Sequence, residues 1–504
     1  MDQISQEHTL NFNEEEILAK PAAAHTLSAK SSVTFVGVEV PLHHRLASSD
    51  PVDPESSLSL DEKIVSWKDF QNDVIPDKKH GRLVRNLRFQ LWNVYRRLFT
   101  VVFIANMAIF VAFCVRGASV PKLGQVAIAN IFVTVLFRQE YVINALFAIM
   151  CSAPKSWPLW IRCNICTRVY SLPGGIHSGS GVSGTIWLIL FAGQATRNFV
   201  DGGEVSSATL GVTYAILLLL LAIVVFAYPS LRSKQHDTFE YIHRFMGWSA
   251  VALVWAQVVS LNNDFKGTQS LARALRTNPT FWLVVILTAS IALPWVRLRK
   301  ESVRSEVLSD HALRLYFDYD RPVPGSFIRI STDPLTEWHS FATIKEPGKK
   351  GFSVIVSRAG DWTSEIIASP PYSIWVRGIP TTGVMRIVPL FRRVVVVATG
   401  SGIGPCAPHV FARKSKIQLL WTASNVRETF GDHLVDSLLE ASPNTIIYDT
   451  RKNGKPDMVK LVARLVKEFE AEAVCIISNP PLTRKVVYGM MSRGIPAFGA
   501  IWDS

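Results

Sequence analysis

Six apolar stretches, at roughly 98–115, 124–152, 176–195, 208–228, 245–261 and 279–298, stand out from an otherwise mixed chain. Most approach the roughly twenty residues a helix needs to cross a hydrocarbon layer, and the second is long enough to tilt or bend. The pattern predicts six spans. After about residue 303 the rhythm changes. Short alternating runs with Pro and Gly between them, at 312–319, 326–330, 339–344, 352–357 and 372–376, predict a small antiparallel barrel. From Phe391 onward, continuous apolar runs at 394–398, 417–422, 445–448 and 473–477 alternate with helical segments at 431–440, 458–469 and 482–493. Strands buried on both faces read this way, so a parallel sheet of about five strands is expected.

Charge changes the picture in one respect. The 504 residues carry a formal charge of +13, which suits either nucleic acid or a membrane surface. The basic residues lie beside the apolar stretches, so the membrane reading is preferred and no nucleic-acid partner is expected. Lys78, Lys79, Arg82, Arg85, Arg88, Arg96 and Arg97, interleaved with Leu83, Leu87, Leu91 and Trp92, suit an interfacial helix leading into a bilayer. The loops with Lys155, Arg162 and Arg168, with Arg232 and Lys234, and the exit at 297–300 then share one side, and Asp201 with Glu204 takes the other. This predicts a multi-pass protein, placed in the plasma membrane, with both termini cytosolic.

Residues 1–80 are polar and rich in Ser, Glu and Asp, and read as a disordered cytosolic tail without a cleaved signal. Six cysteines offer no metal quartet; Cys163 and Cys166, in a loop, are read as ordinary thiols rather than a zinc pair. Arg138 and Glu140 fall at mid-depth in the second stretch, where a structural ion pair is preferred over a proton path.

Three stretches carry candidate chemistry. Glu337-Trp338-His339-Ser340-Phe341-Ala342-Thr343 places aromatic rings on alternate positions of a strand. Ser357-Arg358-Ala359-Gly360-Asp361-Trp362-Thr363 follows about twenty residues on and contains a Gly-x-x-Thr that by itself says little. Thr399-Gly400-Ser401-Gly402-Ile403-Gly404-Pro405 follows a strand and opens a helix, so that its backbone can approach a pyrophosphate closely. Arg427, just past the next strand, is placed either to meet an adenosine 2'-phosphate or to be a solvated surface residue.

In that order the three stretches resemble the cytosolic flavin and nicotinamide module of the ferredoxin-reductase superfamily. They are most similar to its membrane-bound branch, the ferric reductases and NADPH oxidases, whose first motif reads His-Pro-Phe-Thr. The resemblance implies a six-span α-helical bundle over 81–300, an antiparallel FAD-binding β-barrel over 301–390 and a Rossmann-like α/β NAD(P)-binding domain over 391–504. It implies FAD held by His339, Ser340, Phe341, Arg358, Gly360 and Thr363 and covered by Trp502. It also implies a nicotinamide dinucleotide, NADPH rather than NADH on the strength of Arg427, held by Gly400, Gly402, Gly404, Pro405, Arg427, Ser478 and Asn479.

In that branch two haems are held by pairs of histidines on the third and fifth helices. His177 and His243 match the inner pair, whereas Leu190, Phe191, Ala256 and Gln257 stand where the outer ligands would be, so either one inner haem or none is expected; His236 is read as a loop residue. Ala342 and Ser478 also depart from the family pattern, which has a hydroxyl and a thiol there. These departures and the ending Phe498-Gly499-Ala500-Ile501-Trp502-Asp503-Ser504 make the chain similar, from about residue 80 on, to fungal transmembrane flavoproteins of the TmpA type. A related region closes some adenylate-forming synthetase-like proteins. The implied function passes electrons from NAD(P)H through FAD to a small-molecule or protein acceptor at the membrane. The alternatives are a transmembrane ferric or oxygen reductase with a single inner haem, and a degenerate flavoprotein serving as a signalling or scaffold subunit.

Overall fold

Uninterrupted apolar runs give long helices. The computed structural model describes residues 68–319 and 322–500, and its helices here are α1 Val94–Arg116, α2 Val120–Leu136, α3 Glu140–Met150, α4 Leu159–Val200, α5 Ser207–Phe226, α6 His236–Asp264, α7 Leu271–Thr277 and α8 Pro279–Val296. Among the described residues α1, α5, α6 and α8 are long and apolar enough to cross a membrane; α2 and α3, bent by 68° at their break, make a fifth if they are one span. The expected count of six is corrected at the third stretch, which lies within α4.

That helix, 42 residues and so about 63 Å long, is small and polar in its middle for a packing reason. A Cβ on Gly175 would lie 2.8 Å from Leu98 Cβ, and one on Gly179 would lie 3.0 Å from Phe99 O, so α1 approaches α4 only where side chains are missing. The helix also starts earlier than the apolar run. Cys163, Cys166, Arg162 and Arg168 therefore sit on its first turns rather than in a loop, and His236 likewise opens α6 rather than lying in a loop.

The tail is corrected as well. Residues 1–67 lie outside the described part, but 68–75 pack on the C-terminal sheet layer: Phe70 is 1% exposed and meets the Tyr448 ring edge-on at 6.5 Å.

Strands β1 Arg299–Ser302, β2 Arg304–Val307, β3 Ala312–Phe317, β4 Ser326–Ser331, β5 His339–Ala342, β6 Phe352–Ser357 and β7 Ser373–Thr382 follow, with α9 Asp361–Ala368 inserted before β7. They form two antiparallel sheets, ordered β1-β7-β4-β5 and β2-β3-β6. The chain crosses from one sheet to the other at Val303, between β1 and β2, and an isolated bridge from Ile344 to Ser353 joins the β5 and β6 sides. Together these links close the expected barrel. Leu313, Leu315, Ile330, Val354 and Val356, all at 0% exposure, fill it.

The C-terminal part consists of β8 Arg393–Thr399, α10 Ile403–Ala412, β9 Lys416–Ala423, α11 Asp432–Ala441, β10 Ile446–Asp449, α12 Met458–Glu468, β11 Ala473–Ile477, α13 Pro480–Met491 and β12 Ala497–Gly499. The five strands are all parallel and ordered β10-β9-β8-β11-β12. Val394 to Ala398 are wholly buried, as a central strand covered by helices on both faces requires.

Buried charge ties the bundle to the β-rich part. Glu140, at the start of α3, pairs with Arg329 of β4 and accepts from Ile379 N at 2.9 Å, so its partner is not the expected Arg138. Gly378 leaves room for this contact, since a Cβ there would lie 2.2 Å from Glu140 Oε2. Asn144 accepts from Thr382 N at 2.8 Å one turn on. Arg162 donates to both oxygens of Glu472, at 2.8 and 2.9 Å, and to Leu390 O, which fixes α4 to the parallel sheet. Its guanidinium holds the Glu472 carboxyl below the usual range.

Two measurable consequences follow from burial. Arg329→Leu strands the Glu140 carboxylate, and a thermal or denaturant melt of the purified chain is expected to show a loss of about 3 kcal/mol. His409 in α10 is 2% exposed with Nε2 unpartnered, and burial, helped by Arg386 and Lys414, pushes its pKa down to about 3. The unfolded chain takes up this proton near pH 6.5, so the contribution to stability is complete above that pH and shrinks progressively from pH 6.5 towards 3. His409→Leu is expected to flatten the fall in melting temperature between pH 7.5 and 5.

Candidate functional site

In a parallel sheet, neighbouring strands whose connections run in opposite directions leave a crevice at their carboxyl ends. Here β8 and β11 are that pair, because β9 and β10 extend one way from β8 and β12 extends the other from β11. The glycine turn leaves β8 at this point and Ser478-Asn479 leaves β11. The two meet directly: Thr399 Oγ1 lies 2.6 Å from Ser478 Oγ. Gly402 makes the meeting possible, because a Cβ there would lie 2.4 Å from Ile477 O. Gly400 adopts φ +50° with open space around its Cα, and its carbonyl is held by Trp421 Nε1 at 3.0 Å. Pro405 occupies the first turn of α10, whose amide end faces the crevice mouth.

The barrel comes up to the same place. A Cβ on Gly404 would lie 4.0 Å from Ala342 Cβ, so one face of β5 looks onto the glycine turn. Ala342, Gly402, Gly404, Thr399 and Ser478 are thus gathered at one junction. Thr343 points elsewhere, its hydroxyl lying 3.0 Å from Ser326 Oγ.

The other face of β5 corrects the expectation for His339 and Phe341. Trp362, on the first turn of α9, stacks on His339 at 3.9 Å and on Phe341 at 5.9 Å between centroids, and His339 Nε2 donates to Glu337 at 3.0 Å. The aromatic face expected to receive a flavin ring is filled by the protein's own indole. The phosphate end of that site fits better. Gly360 has nothing within 4 Å of a Cβ position, and Arg358, two residues before it, is exposed; Ser340 is exposed on the opposite face of β5 from His339. Thr363 closes the turn, its hydroxyl accepting from the amides of Ala359 at 2.8 Å and Gly360 at 3.0 Å, so it supports the loop rather than offering a free group.

Two nucleotide residues are reassigned in the same way. Arg427 donates to Asp432 and Asp436, each at 2.8 Å, and these carboxylates hold its pKa above the ordinary value. It is committed to α11 and not presented to a 2'-phosphate. Asn479 caps α13, its Oδ1 accepting from Leu482 N at 2.9 Å. Trp502 lies outside the described residues.

His177 and His243 do come together, with ring centroids 6.0 Å apart and planes at 73°. His177 Nδ1 donates to Thr134 O at 2.8 Å, which leaves Nε2 for another partner, and His243 Nδ1 is buried without one. The spacing suits one shared metal ion, but His243 Nδ1 lacks the outer hydrogen bond that a ligating histidine makes. Phe239 lies against His243 at 5.4 Å. No cluster of three or more metal-binding side chains occurs among the described residues.

Reading the motifs by their glycines and hydroxyls missed Thr399, Trp362 and a contact between the flavin motif and the bundle. Trp338 meets Trp295 at 6.2 Å, Trp295 meets Trp248 at 5.6 Å, and Arg377 lies 4.5 Å from the Trp338 ring and 4.8 Å from the Trp295 ring. Burial lowers the Arg377 pKa to about 10. Thr399 and Trp362 stood inside the quoted motifs; the Trp338–Trp295 contact joins residues 43 apart and has no local signature.

Residues 384–504 match the family described as the C-terminal domain of adenylate-forming reductase 03009. Over 451 residues, 89% of this chain, the sequence is 59% identical to adenylate-forming reductase 03009 of Coprinopsis cinerea, of which that region is 44%. It is 55% identical over 488 residues, 96% of this chain, to adenylate-forming reductase 06235 of the same fungus, of which that region is 47%. The chain therefore spans less than half the length of these curated relatives. Among solved structures, a Neisseria gonorrhoeae ferredoxin NADP+ reductase with bound FAD and NADP aligns over 40% of this chain and 98% of its own, at 15% identity and a TM-score of 0.34. That likeness is too slight to bear on the fold.

The two glycines of the turn separate by experiment. Gly402→Ala drives a methyl group into Ile477 O and is expected to cost about 3 kcal/mol, whereas Gly400→Ala meets open space and costs about 1 kcal/mol through its positive φ. Melting temperatures of the two variants check the order.

Proposed function

We propose that this chain is a membrane-embedded reductase module of the ferric-reductase-like kind. NAD(P)H binds at the carboxyl edge of the parallel sheet, FAD binds on the barrel, and electrons leave to a small-molecule or protein acceptor at the membrane. The observation that carries this reading is the convergence of Ala342, the glycine turn and Ser478 at the β8–β11 switch point. When bound, a nicotinamide supplies a hydride and a flavin accepts it. The chain's own part is positional: Gly400, Gly402 and Gly404 let backbone approach a pyrophosphate, and Ser478 with Thr399 sets the crevice floor. Arg358 and the free end of α9 offer charge and amides to the second dinucleotide.

The names of the curated relatives support the reductase class. Four apolar helices and the one-sided basic loops support a multi-pass membrane protein, in the plasma membrane, with both termini cytosolic. With Arg427 paired, the ground for preferring NADPH over NADH is withdrawn. A second reading adds one haem at the inner end, favoured by the His177–His243 pair.

An absorbance spectrum of the purified full chain tests this. Flavin bands, near one FAD per chain, that bleach anaerobically on adding NADPH or NADH are expected. A colourless chain that refuses added FAD overturns the proposal in favour of a scaffold subunit. A Soret band in the same scan, lost in His243→Ala, decides the haem.

A further inference from the structure

The far end of the bundle holds a cavity of about 320 Å³ between α2, α4, α5, α6, α7 and α8. It is remote from the junction described above. Thr280, near the start of α8, lines it, and the helix runs sixteen residues, about 24 Å, before reaching the β-rich part. The walls are apolar, with Ile128, Leu188, Phe191 and Val254 all at most 7% exposed. Phe191 and Gln257 stand at positions where the family resemblance would have set outer metal ligands, and neither is one.

Gln125, Asn262, Asn278 and Thr280 also line the cavity, but of the lining residues Gln257 is the one with a buried polar atom left without a partner. It is 4% exposed, its Nε2 has no partner, and its Oε1 lies 3.2 Å from Thr213 Oγ1. The single proton of the Thr213 hydroxyl already has a closer acceptor, Thr209 O at 2.7 Å. Whichever way the amide is turned, one of its two polar atoms faces the cavity without a protein partner. Buried polar atoms are normally satisfied. At the mouth Asn278 donates to Asn262 at 2.8 Å, so that pair is satisfied by itself, whereas Gln257 keeps an orphaned amide nitrogen for a guest to meet.

We propose that this cavity binds a small, largely apolar molecule carrying one hydroxyl or carbonyl group, which is hydrogen-bonded by Gln257. A hydroxyl, being donor and acceptor, suits either orientation of the amide. The volume is about twice that of the roughly 150 Å³ apolar cavity known to take a benzene, so a bicyclic body fills it. Such a molecule reaches the site either dissolved in the bilayer or as the end of a lipid, and the chemistry is the same.

The test uses the full chain in nanodiscs of one synthetic phosphatidylcholine, with 1-naphthol as the probe in equilibrium dialysis. One saturable site per chain is expected, weakened about tenfold in Gln257→Leu and removed in Ala274→Trp, which puts an indole at the mouth. Circular dichroism confirms that both variants keep their helices. In parallel, the organic extract of the chain purified from cell membranes is analysed by mass spectrometry. A stoichiometric lipid that is missing from Ala274→Trp and displaced by naphthol supports the proposal and names the bilayer as source; saturable naphthol binding without such a lipid supports a freely exchanging small molecule. Non-saturable uptake equal in all three proteins, with extracts that do not differ, overturns it. Equal affinity in wild type and Gln257→Leu overturns the assigned role of the amide.

Discussion

The backbone of Gly402 passes so close to the carbonyl of Ile477 that one methyl group would separate the ends of the two central strands. This close approach sets the rest of the junction. It lets Thr399 and Ser478 share a hydrogen bond across the crevice, turns α10 so that its amide end faces the mouth, and brings Gly404 within contact of Ala342 on the barrel. A parallel sheet supplies the crevice by topology alone. The glycine determines how tightly it closes and what backbone is left exposed to a ligand.

The barrel side was legible in outline and misleading in detail. Alternation predicted five of its seven strands, but β1 and β2, four residues each with basic and acidic side chains, carry little apolar signal; they exist because β7 and β3 supply their hydrogen bonds. Four of the five parallel strands were readable to within a residue or so, since burial on both faces leaves little other composition open, whereas β12, three residues long, carried no such run. Candidate site residues fared according to whether backbone or side chain defined them. Gly400, Gly402 and Gly404 are where the motif put them, because a glycine's role is fixed by local backbone. Arg427, Thr363 and Asn479 found partners within ten residues, and a motif does not show whether such a neighbour will take a side chain's hydrogen bonds. Trp362 is the sharpest case: it belongs to the motif, yet it covers the face that the motif was expected to leave open.

The bundle shows a similar division. Hydropathy located its helices, while α4 is small and polar in its middle, because Gly175 and Gly179 serve close contact with α1. Length and hydropathy measure composition alone, so a helix whose middle is small and polar for packing falls outside the class they define. The two histidines are placed by the same packing, one on α4 and one on α6.

The charges at the boundary explain why the two parts hold together as one body. Glu140 and Arg162 belong to the bundle, are 3% exposed each, and find their opposite charges on β4 and at the start of β11. Buried ion pairs of this kind add little net stability, since desolvation offsets most of the attraction. Separating them would leave four charges without partners and the orphaned amide of Ile379, which is far worse. The pairs therefore select one docking geometry over its neighbours rather than strengthening it. That selection keeps Trp338 beside Trp295, with Arg377 against both rings, and so fixes the distance between the flavin motif and the end of the bundle where His243 lies. Oriented salt bridges, unlike apolar contact, do not slide, so the bundle and the β-rich part keep one register.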